Sequence, residues 1–569
     1  MKTLVLLLLL LPLSLLGQTT LIEDVTVLDV ERKKALPGYT VKVVADKIVG
    51  LGKAGKLKTG EADTVISGTG KYLIPGLIDA HIHFFQSGGI YTRPDAMDLN
   101  HIVPYEEEIR FAKDHATDYL DRYLRLGITT VMDVGGPMWN YTVRDSIAPG
   151  RVAPNVLVTG PLFSMVSRPQ LDRGDPPIVE VSTQAEVLDL FNQQLPYQPD
   201  FIKVWYVVTR EKPAAQSYPL VAYLARLCAE NNLKLAVHAT QLETARLAVE
   251  AGANILVHSV DDAIIGPAFL QELKRKQVTY VPTLTVTNGY FKTFTGKIDH
   301  HPHDLKWANP MAYRSLLDPN SWDKSGWPES LKARYGMARP SALDTRDSIM
   351  RVNLAALYSA GINIATGTDA GNIGTMHASS YLPELQAMQK AGLSNWELLV
   401  ASTINPARGF GVGAEVGSIR EGKRADLVLL DDNPLEDIQN VHSISMIMKS
   451  GQVLAPDAIL METPEQIVQR QVNAYNARDI DAFLDTYTTD VEVYNHLGEM
   501  TMQGHDQMRK QYATMFERVT NLYCEIQNRM VINNQVIDHE KVRFMDRSVN
   551  AVAWYEVTNG KISKVTFIR

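Results

Sequence analysis

Apolar positions recur along this chain in two rhythms, and their alternation sets the expected architecture. Stretches 21–30 and 39–51 alternate apolar and polar residues and are rich in Val and Ile, the period-two signature of strands. Neither can bury a core of its own. The same pattern returns far downstream, at 425–430 and 441–453. Two half-sheets flanking a large middle predict one discontinuous β-sandwich domain, built from 18–71 and 406–458.

The middle, 72–405, carries short apolar runs at 72–84, 128–135, 155–163, 201–206, 234–240, 254–259, 278–286 and 363–371. Longer amphipathic stretches such as 214–231 and 242–251 lie between them. Repeated strand–helix alternation implies a parallel sheet, and eight strands close a (β/α)8 TIM barrel of the α/β class. Segment 287–346 carries Trp307, Trp322 and Trp327 and is too long for an ordinary connection, so it reads as a lid or binding loop. A third unit, 462–569, opens with a helix at Thr463-Pro464-Glu465 and a second at 480–487. Strands follow at 491–495, 523–528, 531–536, 540–544, 549–557 and 561–567, which predicts an α+β unit.

Composition narrows the function classes. Of 569 residues, 45% are hydrophobic and 21% charged, ordinary for a globular protein. The net charge of -8, with no dense Lys/Arg tract, argues against nucleic acid as a partner. Lys2 precedes an apolar run at 4–16, broken by Pro12 and Ser14 and shorter than the ~20 residues of a spanning helix. It reads as a signal peptide, 1–17, which places the mature chain in a secreted or periplasmic setting without a membrane span; an uncleaved anchor is the alternative. Cys228 and Cys524 fall in different units and are expected as buried free thiols.

The chemistry sits at predicted strand ends. The first barrel run ends Asp79-Ala80-His81-Ile82-His83, and histidines two apart on a strand point the same way. The fifth run carries His238, the sixth His258, and the eighth Thr368-Asp369-Ala370. All strand C-termini of a parallel barrel open on one face, so His81, His83, His238, His258 and Asp369 converge. That donor set suits Zn2+ or a similar divalent ion. Any one of these histidines alone could be a satisfied core residue. Lys203 lies within the fourth run, flanked by Ile202 and Val204, which suit the helix side; Lys203 then points inward. A buried amine loses its proton readily and can then take up CO2 as a carbamate able to bridge two ions, whereas a lysine reaching the rim would do neither. Asp133 ends the second run and reads equally as support for the site or as structural. His377, in the loop after the eighth run, is a candidate substrate contact.

These motifs resemble the amidohydrolase superfamily, in its imidazolonepropionase-like and prolidase-like branch. The matching segments are Ile74-Pro75-Gly76-Leu77-Ile78-Asp79-Ala80-His81-Ile82-His83, Phe201-Ile202-Lys203-Val204, His238-Ala239, Gly367-Thr368-Asp369-Ala370 and Lys423-Arg424-Ala425-Asp426-Leu427-Val428, within about 21–455. The resemblance implies two divalent ions, expected as Zn2+. His81, His83 and Asp369 would hold one and His238 and His258 the other, bridged by carboxylated Lys203 and a hydroxide. One departure is His238-Ala239-Thr240, where prolidase-like members often have His-Ala-Tyr; this puts dipeptidase activity in doubt. Unit 462–569 is similar to ketosteroid-isomerase/SnoaL-like cones, through Tyr475-Asn476-Ala477-Arg478-Asp479, Phe483 and Gly504-His505. In such a cone His496, Asp538 and His539 could line a pocket, or the unit could serve homo-oligomer assembly.

The expected reaction is hydrolysis of an amide bond, peptide-like or cyclic, in a small-molecule substrate. Metal-bound hydroxide would attack the carbonyl, with Asp369 as general base and then acid. Rival readings are a mononuclear imidazolonepropionase-like cyclic amidase, a lactonase or esterase on the same site, and an inactive binding protein on the barrel.

Overall fold

The computed structural model describes residues 17–58, 60–147 and 150–568. The expected signal peptide falls almost wholly outside these residues. Among the described residues, no helix is long and apolar enough to cross a membrane.

All eight barrel strands form, in the order Leu77–Ile82, Ile128–Asp133, Asn155–Val158, Ile202–Trp205, Leu235–His238, Ile255–Val257, Thr279–Val281 and Asn363–Ile364. The pairings between them are parallel. The 72–84 run is not one strand. Tyr72–Pro75 joins the end-built sheet and Leu77–Ile82 the barrel, divided at Gly76, where a Cβ would lie 2.1 Å from Thr129 Oγ1. The 155–163 run is likewise divided by Gly160-Pro161, and Leu162–Ser164 carries the pairing on to Ile202–Trp205. The eighth strand is regular for only two residues. Its continuation closes the barrel through Ala80 N–H to Thr366 O (2.9 Å), Asp369 N–H to His81 O (2.7 Å) and His83 N–H to Ala370 O (2.8 Å).

The flanking β-rich segments form one eight-stranded sheet. Leu427–Leu430, from the far end of the chain, lies between Ile444–Lys449 and Tyr72–Pro75, and Tyr72–Pro75 pairs with Thr19–Asp29. The stretch 39–51 belongs to a hairpin, Lys34–Val44 with Lys47–Lys53.

The 287–346 segment is not an open loop. It folds into short helices, Val286–Thr295, Pro302–Trp307, Pro310–Ser315 and Glu329–Arg334, and then enters Ser341–Ser359. Phe294, Leu305, Tyr313, Leu316 and Trp327 pack there into a separate apolar cluster with Ile90, Ile373 and Tyr523. Tyr523 belongs to the C-terminal unit, so this layer is clamped from outside. Tyr523 Oη donates to Leu317 O (3.1 Å), Asn473 Nδ2 to Pro310 O (2.8 Å) and Gln466 Nε2 to Asp118 Oδ1 (2.9 Å).

The C-terminal unit is a six-stranded sheet with helices Pro464–Ala477, Ile480–Asp485 and Gly504–Arg518. Thr463 caps the first through a reciprocal box with Gln466, with Pro464 in the first turn. The third helix has no counterpart in the apolar pattern, because only Met508 and Phe516 of its side chains are buried. The runs 523–528 and 531–536 are mostly one strand, Tyr523–Ile532, which turns at Asn533 (φ 54°) into Gln535–Phe544. Cys228 and Cys524 are free and buried.

Candidate active site

The site is built where strand ends turn over the barrel mouth. His81 is the penultimate residue of Leu77–Ile82 and His83 follows just beyond it. Asp369 reaches the same point from the eighth strand's continuation, which needs Gly367: a Cβ there would lie 2.4 Å from Val281 Cγ1 and 2.8 Å from His81 Cβ. His81 Nε2 and His83 Nε2 are 3.3 Å apart, and each lies 3.2 Å from Asp369 Oδ1. His258 Nδ1 is 3.9 Å from Asp369 Oδ2, and its ring lies 4.8 Å from that of His81 and 4.3 Å from that of His238. The five predicted donors are therefore gathered in one place, and Lys203 lines the same cavity of about 280 Å3 with His83, His238, His258 and Asp369.

Electrostatics fit a cation. Burial pushes His81 down to about 3, against the pull of the Asp369 carboxylate, and holds His238 and His258 well below the ordinary imidazole range. Burial alone would raise Asp369, but the surrounding His81, His83 and His258 hold it well below the usual carboxylate range. His83 Nδ1 donates to Gly135 O (2.7 Å), which leaves its Nε2 as an acceptor. His81 Nε2, His83 Nε2 and Asp369 Oδ1 crowd together, and His81 Nδ1 has no hydrogen-bond partner among the described residues. A divalent ion would satisfy all three. Within the chain's own residues, His81, His258 and Asp369 form a cluster able to hold a metal ion. Burial lowers the Lys203 amine to about 7, with Asp369 opposing, and no described residue gives it an ion pair.

Several supporting residues escaped the sequence reading. Asp79 lay within a quoted motif without a role. Its carboxylate accepts from Thr368 Oγ1 (2.7 Å), Thr368 N (3.1 Å) and His81 N (3.3 Å), binding the first strand to the turn that carries Asp369. Glu384 does the same for another turn, accepting from Leu284 N (2.7 Å), Thr285 N (3.0 Å) and Thr285 Oγ1 (2.9 Å). Asn372 Nδ2 donates to Asp369 Oδ1 (2.7 Å), while Asn372 Oδ1 accepts from Arg93 Nη1 (3.0 Å) and Tyr290 Oη (2.7 Å). Arg93, Tyr290 and Thr240 line the cavity. Arg93, from the loop after the first barrel strand, and Tyr290, from helix Val286–Thr295, lie away from the strand ends, so no strand-end pattern could point to them. Asp133 supports the site: it accepts from Asn140 Nδ2 (2.6 Å) and Gly135 N (3.3 Å), fixing the turn whose carbonyl orients His83.

The expectation for His377 is corrected. It is buried away from the cavity, with Nδ1 3.1 Å from Tyr123 Oη and Nε2 2.9 Å from Gln86 O, and it stacks on Tyr119 at 4.2 Å. Both ring nitrogens are engaged by the protein, so it holds the 83–88 turn and does not line the cavity. Of the three residues considered for the C-terminal cone, only His496 lines its cavity. Asp538 is locked to Arg529 (2.6 Å), and His539, one position along the strand, faces outward.

Comparison with known proteins accords with this architecture. Residues 72–454 match the amidohydrolase family and 468–565 the SnoaL-like domain. The chain is 35% identical to imidazolonepropionase of Shouchella clausii over 115 residues, 19% of this chain and only a quarter (25%) of that protein. It is 23% identical to 5'-deoxyadenosine deaminase of Methanothermobacter thermautotrophicus over 397 residues, 66% of this chain and 77% of the relative. Among solved structures, a putative prolidase from Bifidobacterium longum superposes with TM-score 0.57 at 21% identity, covering 78% of this chain and 98% of the other.

Proposed function

The chain belongs to the amidohydrolase family, and from that premise we propose that it hydrolyses an amide bond, peptide-like or cyclic, in a small molecule. The observation that carries the reading is the convergence of His81 Nε2, His83 Nε2 and Asp369 Oδ1 within 3.3 Å of one another beside buried Lys203. His81, His83 and Asp369 would hold one divalent ion and His238 and His258 a second, with Lys203, as a carbamate, between them. Such ions supply Lewis acidity and a water whose pKa falls to ~7. Asp369 stays ionised, and its Oδ2, not engaged by Asn372, is the acceptor for the proton of the attacking water. The same carboxyl returns that proton to the leaving nitrogen. Arg93, whose Nη1 donates to Asn372, keeps a further N–H that orients an acceptor group of the substrate, while Tyr290 Oη, its proton given to Asn372, can accept.

The match to imidazolonepropionase supports a second reading, a single ion and a cyclic amide, with Lys203 unmodified. One experiment separates the two. The purified chain is expected to hold close to two divalent ions by elemental analysis and to cleave acylated amino acids, dipeptides or lactams only while they remain. A count near one favours the cyclic-amide reading, and activity that persists in metal-stripped protein refutes both. The leader expected at 1–17 accords with a secreted or periplasmic site of action, to be tested by N-terminal sequencing of exported protein.

A further inference from the structure

The helical layer beside the barrel leaves a cavity of its own. A space of about 410 Å3 lies between helices Val286–Thr295, Ser341–Ser359 and Tyr381–Lys390 and the segment 298–304, against about 280 Å3 at the barrel mouth. Its size falls in the ~300–1,000 Å3 range of small-molecule sites. Helix Val286–Thr295 parts the two spaces. Val286, Thr287 and Tyr290 line the mouth, Asn288, Gly289 and Lys292 line the second cavity, and Met350 borders both. Leu284, Ile298, Leu316 and Met376 make much of the second wall aliphatic.

The polar groups of this wall are of two kinds. Inside are acceptors without donors. Thr375 is 2% exposed, and Thr375 Oγ1, Asp304 Oδ1 and Asp347 Oδ1 are shielded from solvent with no hydrogen-bond partner among the described residues. Asp347 is compensated through its other oxygen by Arg339 (2.6 Å), and Lys292 is taken by Asp299. Asp304 makes no ion pair with any described residue. A carboxylate shielded without a cation is costly, and native interiors rarely keep an unpartnered polar atom unless something fills the gap. At the rim are cations without partners. Arg351 and Lys390 line the cavity and are exposed, and neither makes an ion pair among the described residues.

We propose that this cavity is a second small-molecule site, for a free α-amino acid with an aliphatic side chain. The ammonium meets Asp304 Oδ1, the carboxylate meets Arg351 and Lys390, and the side chain lies against Leu284, Ile298 and Leu316. A lone amine or a lone carboxylate satisfies only one end. The site does not depend on which bond the barrel cleaves. Its occupant nevertheless bears on the barrel mouth, because Thr375 O accepts from Gly371 N (2.9 Å) and Thr375 N–H donates to Asn372 O (2.8 Å), within the turn that follows Asp369.

The test uses the full chain with its metals, titrated by calorimetry with three probes: L-leucine, 4-methylpentanoate, which lacks the amine, and 3-methylbutylamine, which lacks the carboxylate. Leucine is expected to bind saturably and at least about tenfold tighter than either analogue. Asp304→Asn should weaken leucine by about tenfold or more and leave 4-methylpentanoate unchanged. Arg351→Gln should weaken leucine and 4-methylpentanoate but not 3-methylbutylamine. Ala387→Trp, which fills the cavity, should abolish leucine binding, and Trp205→Leu, in the barrel cavity, should not change it. Absence of saturable leucine binding overturns the proposal. So does its loss in a folded Trp205→Leu chain, which would place leucine at the barrel mouth. Undiminished affinity in Asp304→Asn overturns it as well, a result that holds even if the Trp variant does not fold.

Discussion

Replacing Lys203 by Met should stabilise the metal-free protein while destroying its ability to assemble the metal centre. Lys203 is 1% exposed, and burial brings its amine from the ordinary 10.5 down to about 7. That difference corresponds to roughly 5 kcal/mol of disfavour for the ammonium in the folded state. The sign follows from linkage. Between about pH 7 and 10.5 the unfolded chain binds the proton and the folded chain does not, so stability rises with pH across that window. At pH 7 and below both states are charged and the full cost is present; above 10.5 both are neutral and it vanishes. A Met of similar length has no such cost. In chelator-treated, bicarbonate-depleted protein, Lys203→Met should be more stable at pH 7 by up to about 5 kcal/mol, a gap that closes toward pH 10.5. Urea denaturation at several pH values, followed on the barrel transition by circular dichroism, measures it. The reasoning fails if the two proteins show equal stability at pH 7 and parallel pH dependence. An ammonium tolerated without cost at this position could not be the precursor of a bridging carbamate.

Lys203→Ala should cut turnover by orders of magnitude and lower metal occupancy, and acetate or propionate supplied with metal should restore part of both; normal turnover in this variant ends the carbamate reading. Asp79→Asn should weaken metal binding by ~10–100-fold, because it replaces an acceptor of three donors with a group that faces Thr368 with hydrogens. Unchanged affinity by calorimetry would remove Asp79 from the supporting set. A chain ending at Met461 should keep its metals, since every proposed ligand precedes it, but melt at lower temperature through loss of the Tyr523 and Asn473 contacts to the helical layer. Loss of metal from a soluble, folded truncation would count against the assignment of ligands.

The barrel and its donors were legible because both are written in short-range pattern. A buried parallel strand is an apolar run, and a ligand at its end is the residue after that run. This located His81, His83, His238, His258 and Asp369 without any knowledge of packing. The pattern failed where apolar rhythm is absent. Helix Gly504–Arg518 buries too few side chains to show a stripe, and the hairpin turn at Asn533 lies inside the run 531–536, which reads as a single strand. His377 misled because position in a mouth loop does not fix direction. Its ring turns inward, toward Tyr119 and Gln86 O, which only the surrounding helices determine. For the C-terminal pocket the error was one of parity: alternate residues of a strand face opposite sides, so Glu540 points in where His539 points out.

What the sequence could least reveal is the backbone conformation that aims the donors. His258 (φ 72°), Thr283 (φ 45°) and Asp369 (φ 61°) all adopt left-handed backbone at the barrel mouth. Each costs on the order of 1–2 kcal/mol for a residue with a Cβ. Local propensity gives no reason for three such residues to cluster. Tertiary hydrogen bonds hold them: His258 N–H to Val281 O (2.8 Å), Asp369 N–H to His81 O (2.7 Å), and His258 Nδ1 against Thr283 Oγ1 (2.8 Å). Behind these turns stand Asp79 and Glu384, carboxyls that burial raises to about 7 and that accept from the neighbouring backbone N–H groups. The strain is therefore opposed by hydrogen bonds within the fold. If these residues hold a metal as proposed, a set held this way is preorganised, and its affinity should depend as much on the residues behind the turns as on the donors themselves.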